Sequence, residues 1–372
     1  MSGFVEPAYG DRSLTDLLPA VANALGIDAG LPGTAIELPE AGKYVVFLVD
    51  GLGHELLKAH RHLTPYLSSL VDRSEPITAG VPSTTATSLT SLGTALPPGA
   101  HGVVGFTSRI PGTDNLLNAL SWSKDVDPRS WQPHRTAMDR LAAAGVRTTV
   151  VNKREFAGSG LTVAGQRGAD YIGADRVGEK IAAVLAVSEP GPSLTYIYDG
   201  DLDWTGHRYG VASPQWEQQL AMIDSAAEHL RGVLPDDTRI VLVADHGMVD
   251  SSPQSRLDVD DHPGLLDGVA VFGGEARFRH LYCRGGAVGD VLAAWRERLD
   301  GRALVLTRDE AIERGWFGPV DASVRPRLGD VMVAAQGDNS VLSTARFSYE
   351  ASLVGMHGSL TPVEMLVPLL VD

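Results

Sequence analysis

Residues 239–248, RIVLVADHGM, hold five consecutive apolar residues, Ile240 to Ala244, most of them β-branched, and then stop at an acid, an imidazole and a glycine. An apolar run of this length closed by polar turn residues predicts a strand buried on both faces of a parallel sheet. Ligands of such sheets bind beyond the carboxyl ends of the strands, which puts Asp245 and His246 at the functional edge. An oxygen and a nitrogen donor side by side suit zinc or a similar divalent cation. A strand-end Asp bonding a loop, next to a surface His, would be spelled the same way, so the decision rests on what else reaches that edge.

Two more stretches end alike. Residues 44–49, YVVFLV, run straight into Asp50-Gly51, and residues 194–198, LTYIY, run into Asp199-Gly200 and then Asp201 and Asp203. Three buried strands delivering carboxylates to one edge call for a cation among them, because like charges crowded out of water raise one another's energy.

Composition narrows the classes. The chain has 372 residues, 44% of them hydrophobic, and a formal charge of −15. That is enough for a large α/β domain with an insertion. The charge argues against a duplex-binding surface, which needs clustered Lys and Arg. Phosphate can still be held where metals supply the positive charge. No stretch approaches the roughly 18 apolar residues of a membrane span, and no basic segment followed by an apolar run opens the chain, so no membrane association and a cytoplasmic location are expected. The single cysteine, Cys283, excludes an intrachain disulfide and any Cys-x-x-Cys metal site, and its LYC context reads as a small apolar strand residue.

In chain order, residues 1–40 read as an N-terminal arm with one short helix over 13–25. Strand 44–49 opens the sheet, a helical pattern broken by Pro65 covers 55–70, and VPSTTATSLTSLGTALPPGAHG follows, with a hydroxyl-rich helix start near Thr85. Residues 109–135 read as a long loop whose Trp122 and Trp131 pack or stack on a ligand. Helix 137–144, strand 148–151, the loop NKREFAGSGLT, helix 176–187, strand 194–198 and helix 214–234 then lead back to the opening strand. This alternation predicts a doubly wound α/β fold with a mostly parallel central sheet flanked by helices. The core is expected over 41–261 and 346–372, with a small α+β insertion or cap over 262–345.

Asp203 and His207 in DLDWTGH stand four positions apart, so on a helical turn both face one way and can grip one ion. His357 sits between glycines in GMHGSLTP, where the backbone can bring an imidazole close to a partner. Taken together, Asp50 in VDG, the PSTT segment with His101-Gly102 after it, DWTGH, DHGM and the closing HG at His357 resemble, in that order, the alkaline phosphatase superfamily. The likeness is nearest to its nucleotide pyrophosphatase/phosphodiesterase branch.

The resemblance implies a metal-dependent phosphoric ester hydrolase with two divalent metal ions, zinc foremost and manganese or magnesium as alternatives. Asp203, His207 and His357 would hold one ion. Asp50, Asp245, His246 and the nucleophile oxygen would hold the other. The nucleophile is placed at Thr85, three residues after Pro82, with Thr84 as the alternative. The substrate is expected to be a small phosphorylated compound such as a nucleotide, with Lys153 and Arg154 as candidate phosphate contacts. A phosphomonoesterase and a non-catalytic metal-binding homologue are the competing readings, and the sequence leaves the oligomeric state open.

Overall fold

The apolar runs become strands because each can be covered on both sides, and they are. In the computed structural model, which describes residues 3–188 and 190–372, the strands of the two larger sheets in chain order are β1 (Lys43–Val49), β2 (Arg147–Asn152), β3 (Asp170–Gly173), β4 (Ser193–Asp199) and β5 (Thr238–Val243), followed by β6 (Val269–Glu275), β7 (Phe278–Cys283), β8 (Ala303–Thr307), β9 (Val331–Ala335) and β10 (Leu369–Val371). Met1 and Ser2 of the expected arm, and Glu189 within the expected core, lie outside the described residues.

The central sheet has the order β10-β5-β1-β4-β2-β3, parallel throughout except for β10. Consecutive residues of β1, β4 and β5 are buried, as a strand covered on both faces requires. Two packed groups of helices provide the cover. One holds α1 (Leu17–Ala24), α3 (Thr85–Thr94), α4 (Ala137–Ala143) and α5 (Gly160–Gln166); the other holds α2 (Pro65–Val71), α6 (Val177–Ala186), α7 (Asp201–Tyr209) and α8 (Pro214–Val233). The expected doubly wound α/β fold is therefore the observed one. Among the described residues no helix is long and apolar enough to cross a membrane.

The structure departs from the expected elements where tertiary packing overrides local pattern. The helix read over 55–70 is two, His54–Ala59 and Pro65–Val71, with a 3₁₀ turn at Arg61–Leu63. Pro65 cannot continue a helix but starts the second one well. The loop read over 109–135 contains a hairpin of Thr107–Arg109 with Leu116–Asn118 and a helical turn at Pro128–Trp131. Inside NKREFAGSGLT the chain turns into α5, capped by the Ser159 hydroxyl, which accepts from the Thr162 N–H at 3.3 Å. Two glycines in α5 hide its helical character, and one explains its place: a Cβ at Gly93 of α3 would lie 1.9 Å from the Gly165 carbonyl oxygen, so the two helices meet backbone to backbone. The edge strand β3 is short and only half-buried, and leaves no apolar run to read.

Strands β6, β7, β9 and β8 form a separate antiparallel sheet in that order, with α9 (Val288–Arg298) over a second apolar cluster around Trp295. One tie to the chain end is ionic. The Arg277 guanidinium donates to Glu364 in bidentate fashion, Nε to Oε1 at 2.7 Å and Nη2 to Oε2 at 2.8 Å, with both side chains fully buried. The remaining oxygen capacity of Glu364 is taken by the Ser359 N–H and the Thr361 hydroxyl, so neither charge is left without partners. Removing one member strands the other in a dry interior. Arg277→Leu is expected to lower the unfolding free energy by about 3–5 kcal/mol, read from urea denaturation, and Arg277→Leu/Glu364→Leu by less than the sum of the two single variants.

Candidate metal centre

Parallel register brings the functional side chains together. Val49 pairs with Asp199 and Leu48 with Val243, so β1, β4 and β5 end level with one another. Asp50 and Asp245 emerge at that edge, and Asp203 and His207 follow β4 on one face of α7. His357 arrives from the loop before the chain's last strands. Two clusters result, Asp50 with Asp245 and His246, and Asp203 with His207 and His357, each with ligand atoms within 4.8 Å of one another. They adjoin: the His246 and His357 rings stack at 3.6 Å between centroids.

The imidazoles show what the arrangement is for. Each directs Nδ1 to a backbone carbonyl: His207 to Gly355 at 2.8 Å, His246 to Gly247 at 3.0 Å and His357 to Ser83 at 3.0 Å. With the Nδ1 proton committed there, every Nε2 carries a lone pair, and all three lone pairs face the clusters. His207 Nε2 and His357 Nε2 stand 3.2 Å apart, two acceptors pointed at each other. His246 Nε2 lies 3.3 Å from Asp50 Oδ1 and 3.5 Å from Asp245 Oδ2. Asp50 Oδ1, Asp203 Oδ1 and Asp245 Oδ2 are buried without a hydrogen-bond partner. Orphaned buried acceptors of this kind are costly, and a divalent cation in each cluster would satisfy them. The donor set, carboxylate oxygens and imidazole nitrogens with no thiolate, fits zinc.

The electrostatics say the same. Burial, and after it the charges of Asp245 and Asp203, push the Asp50 carboxyl well above its ordinary 3.8. Burial also raises Asp203 and Asp245, the latter partly offset by His246. Burial lowers His246, and burial with the neighbouring His246 and His207 drives His357 well below its ordinary value. Burial thus favours the protonated form of these three acids and the neutral form of His246 and His357.

Thr85 is the first residue of α3, buried, with Oγ1 at 3.4 Å from Asp50 Oδ2 and 3.2 Å from His246 Nε2. Thr84 precedes it at the N-cap but makes no capping bond through its side chain; it turns to the Glu275 carboxyl instead. Two cavities open on either side of Thr85. One, about 250 Å³, is walled by Thr84, Asp203, His207, Glu275 and His357; the other, about 160 Å³, by Asp50, Asn152, Gln166, Tyr198 and Asp203.

Lys153 and Arg154 line neither cavity. The Lys153 ammonium pairs with Asp201 at 3.0 Å, and the Arg154 guanidinium with Asp175 and Glu179 on the outside of the fold. Their side chains are thus committed to carboxylates, because both follow the strand end outward. Asp199, the strand-end acid of β4, is also diverted: its Oδ2 meets the buried Lys180 ammonium at 2.8 Å. His101 is buried away from the clusters, accepting from the Val103 N–H and donating to Ser91 Oγ. Trp122 and Trp131 pack edge to face on each other at 6.5 Å in a small apolar cluster. Cys283 is half-buried, its thiol pushed up to about 11 by burial, away from the lowered range of reactive thiolates. Sequence reasoning missed Tyr198, whose hydroxyl donates to Asp50 Oδ2, and Asn152, both hidden at the ends of apolar strands.

A doubly wound sheet whose carboxyl edge gathers two carboxylate–imidazole clusters around a buried hydroxyl defines the alkaline phosphatase superfamily branch expected from the motifs. The chain belongs to the type I phosphodiesterase/nucleotide pyrophosphatase family, whose sequence profile matches residues 44–360. No curated protein matches it by sequence. Among solved structures it is similar to murine ectonucleotide pyrophosphatase/phosphodiesterase 5, an inactive threonine-to-alanine variant in complex with AMP, at 17% identity and TM-score 0.70 over 89% of this chain and 87% of that one. It is also similar to phosphonoacetate hydrolase from Sinorhizobium meliloti in complex with phosphonoformate, at 20% identity and TM-score 0.67 over 91% of each chain. At these identities the likenesses establish the shared fold.

The raised carboxyls make a prediction with a definite sign. In the metal-free protein Asp50, Asp203 and Asp245 hold protons more tightly than their ordinary 3.8, so the stability they contribute is present below that value and lost as pH rises through their folded values. Zinc binding displaces those protons. The rise in melting temperature that zinc gives to chelator-treated protein is therefore expected to grow from pH 5.5 to 8, and calorimetry in buffers of different ionisation enthalpy should show net proton release. His357→Ala should weaken both effects.

Proposed function

We propose that the chain hydrolyses phosphodiester or nucleotide pyrophosphate bonds, with Thr85 as nucleophile and two divalent metal ions, zinc foremost. The observation that carries this reading is the position of Thr85 Oγ1. It stands 3.2 Å from His246 Nε2 and 3.4 Å from Asp50 Oδ2, at the start of a helix, on a cavity that also reaches Asp203, His207 and His357.

A serine or threonine hydroxyl is a weak nucleophile at neutral pH. Here the helix N-terminus favours negative charge on the oxygen, and burial keeps bulk water from competing with it. Cations held by the two clusters would supply the charge that deprotonates this oxygen and offsets charge building on the attacking and leaving oxygens. Thr85 Oγ1 then attacks phosphorus as its proton passes to solvent water; a new P–O bond forms, and the bond to the leaving oxygen, which takes a proton from solvent, breaks on the opposite side. Water completes the cycle by attacking the phosphothreonine in line and releasing the hydroxyl. Tyr198, donating to Asp50, holds that carboxylate in the orientation that meets Thr85.

Charge supports diester or pyrophosphate over monoester. A monoester brings more charge on the transferred group, yet among the described residues no Lys or Arg lines either cavity. A nucleotide is the substrate class we favour, in keeping with the AMP complex of the structurally similar murine protein.

The test compares bis-p-nitrophenyl phosphate with p-nitrophenyl phosphate in zinc, manganese or magnesium. Preferential turnover of the diester is expected. Thr85→Ala should lower turnover by about three orders of magnitude or more, with the melting temperature and most metal binding kept, since Asp50, Asp245 and His246 remain. Thr84→Ala should keep most of its turnover, because that hydroxyl faces Glu275 and not the clusters. Near-wild-type turnover in both single variants would refute the threonine nucleophile; no hydrolysis with any metal would refute the enzyme.

A further inference from the structure

The cavity shared by Thr85 and Asp50 contains a polar group to which no role has been given. Asn152 is the last residue of β2, at the same sheet edge as Asp50 and Asp245, and only 4% exposed. Its carboxamide is oriented by a neighbour: the Lys153 backbone N–H donates to Oδ1 at 2.7 Å. Because a donor N–H fixes the oxygen on that side, the NH₂ group must occupy the other. Nδ2 makes no hydrogen bond within the protein, and it is not among the sealed polar atoms that lack partners, so its protons face open space.

The Tyr198, Ser159 and Thr162 hydroxyls on this cavity are spoken for. The Tyr198 hydroxyl gives its proton to Asp50, Ser159 donates to Thr162 Oγ1 at 3.0 Å, and Thr162 donates to the Phe156 carbonyl at 2.8 Å. Gln166 also lines this cavity, but it sits on α5 and not at the sheet edge that carries Asp50 and Asp245. Asn152 is thus a preorganised neutral donor at the sheet edge, on the cavity that Thr85 and Asp50 also line. Neutrality matters here, since a cationic side chain at this place would compete with the metal ions for Asp50.

Resting on the hydrolase reading above, we propose that Asn152 is a catalytic residue: its carboxamide NH₂ donates to a non-bridging oxygen of the phosphoryl group as that group is transferred to and from Thr85. Donors fixed in advance toward developing negative charge act most strongly in the transition state, where the phosphoryl oxygens carry it.

The experiment sets Asn152→Ala against Asn152→Asp. Aspartate is the same size and keeps an oxygen to accept from the Lys153 N–H, but has no NH₂. If Asn152 served only to hold the Lys153 backbone, Asn152→Asp would be close to wild type. On our proposal both variants lower kcat for the diester by roughly 10²-fold, the magnitude of one removed oxyanion donor, with KM altered far less and with melting temperature and zinc content unchanged in Asn152→Ala. Calorimetry on the zinc-loaded proteins should show orthovanadate, which mimics the five-coordinate phosphoryl group, bound more weakly by both variants. Wild-type kcat or orthovanadate affinity in either variant overturns the proposal. If Asn152→Ala does not fold, Asn152→Asp alone decides it. Failure of the hydrolase reading is separate, because the wild-type protein would then turn over no ester at all.

Discussion

The structure turns on an electrostatic conflict left open inside the protein. Three carboxylates and three imidazole lone pairs are brought to one place, largely out of water, with their alternative partners already used. Nothing in the fold relieves the contact of His207 Nε2 with His357 Nε2, since both Nδ1 protons are held by backbone carbonyls. Lys180, buried nearby, could have neutralised an acid, yet it is bonded to Asp199 instead. A divalent cation in each would satisfy both clusters, and its arrival would remove the cost of burial rather than add to it.

Backbone geometry makes this convergence possible. Strands that end level in a parallel sheet deliver side chains to one edge, and the helix after β4 adds a second pair on one face. Close approach does the rest. A Cβ at Gly51 would come within 3.2 Å of the Asp203 side chain, and Gly51 itself takes a positive φ while its N–H donates to Asp245 Oδ1 at 3.1 Å. One glycine therefore both turns the chain after Asp50 and lets the two clusters share a wall.

What could be read in the sequence was whatever depends on local pattern. Apolar runs such as Ile240–Ala244 announce buried parallel strands, and the four-residue spacing of Asp203 and His207 announces a shared helix face. What could not be read depends on where long side chains go after leaving a known backbone. Asp199 and Asp203 are spelled alike at the end of the same strand, but Asp199 is claimed by Lys180, nineteen positions away in sequence. Lys153 and Arg154 follow the strand end as a phosphate-binding pair would, and are drawn off by Asp201, Asp175 and Glu179. Thr84 has the composition of an N-cap and bonds elsewhere. In each case the competitor sits on another element, invisible to any window of the sequence.

These diversions bear on how an acidic chain handles an anionic substrate. With a net charge of −15 and, among the described residues, no basic side chain lining either cavity, the protein offers little long-range attraction for phosphate of its own. On the proposed reading, positive charge would enter through the two carboxylate–imidazole clusters, so affinity for a phosphoryl group would be conferred by the cations that occupy them and lost when they are stripped. Orientation can then be left to neutral donors and to shape, because the strong interaction is already localised at Thr85. On the proposed hydrolase reading, a site so arranged would meet a singly charged diester on favourable terms, and a doubly charged monoester with too few donors for its extra charge.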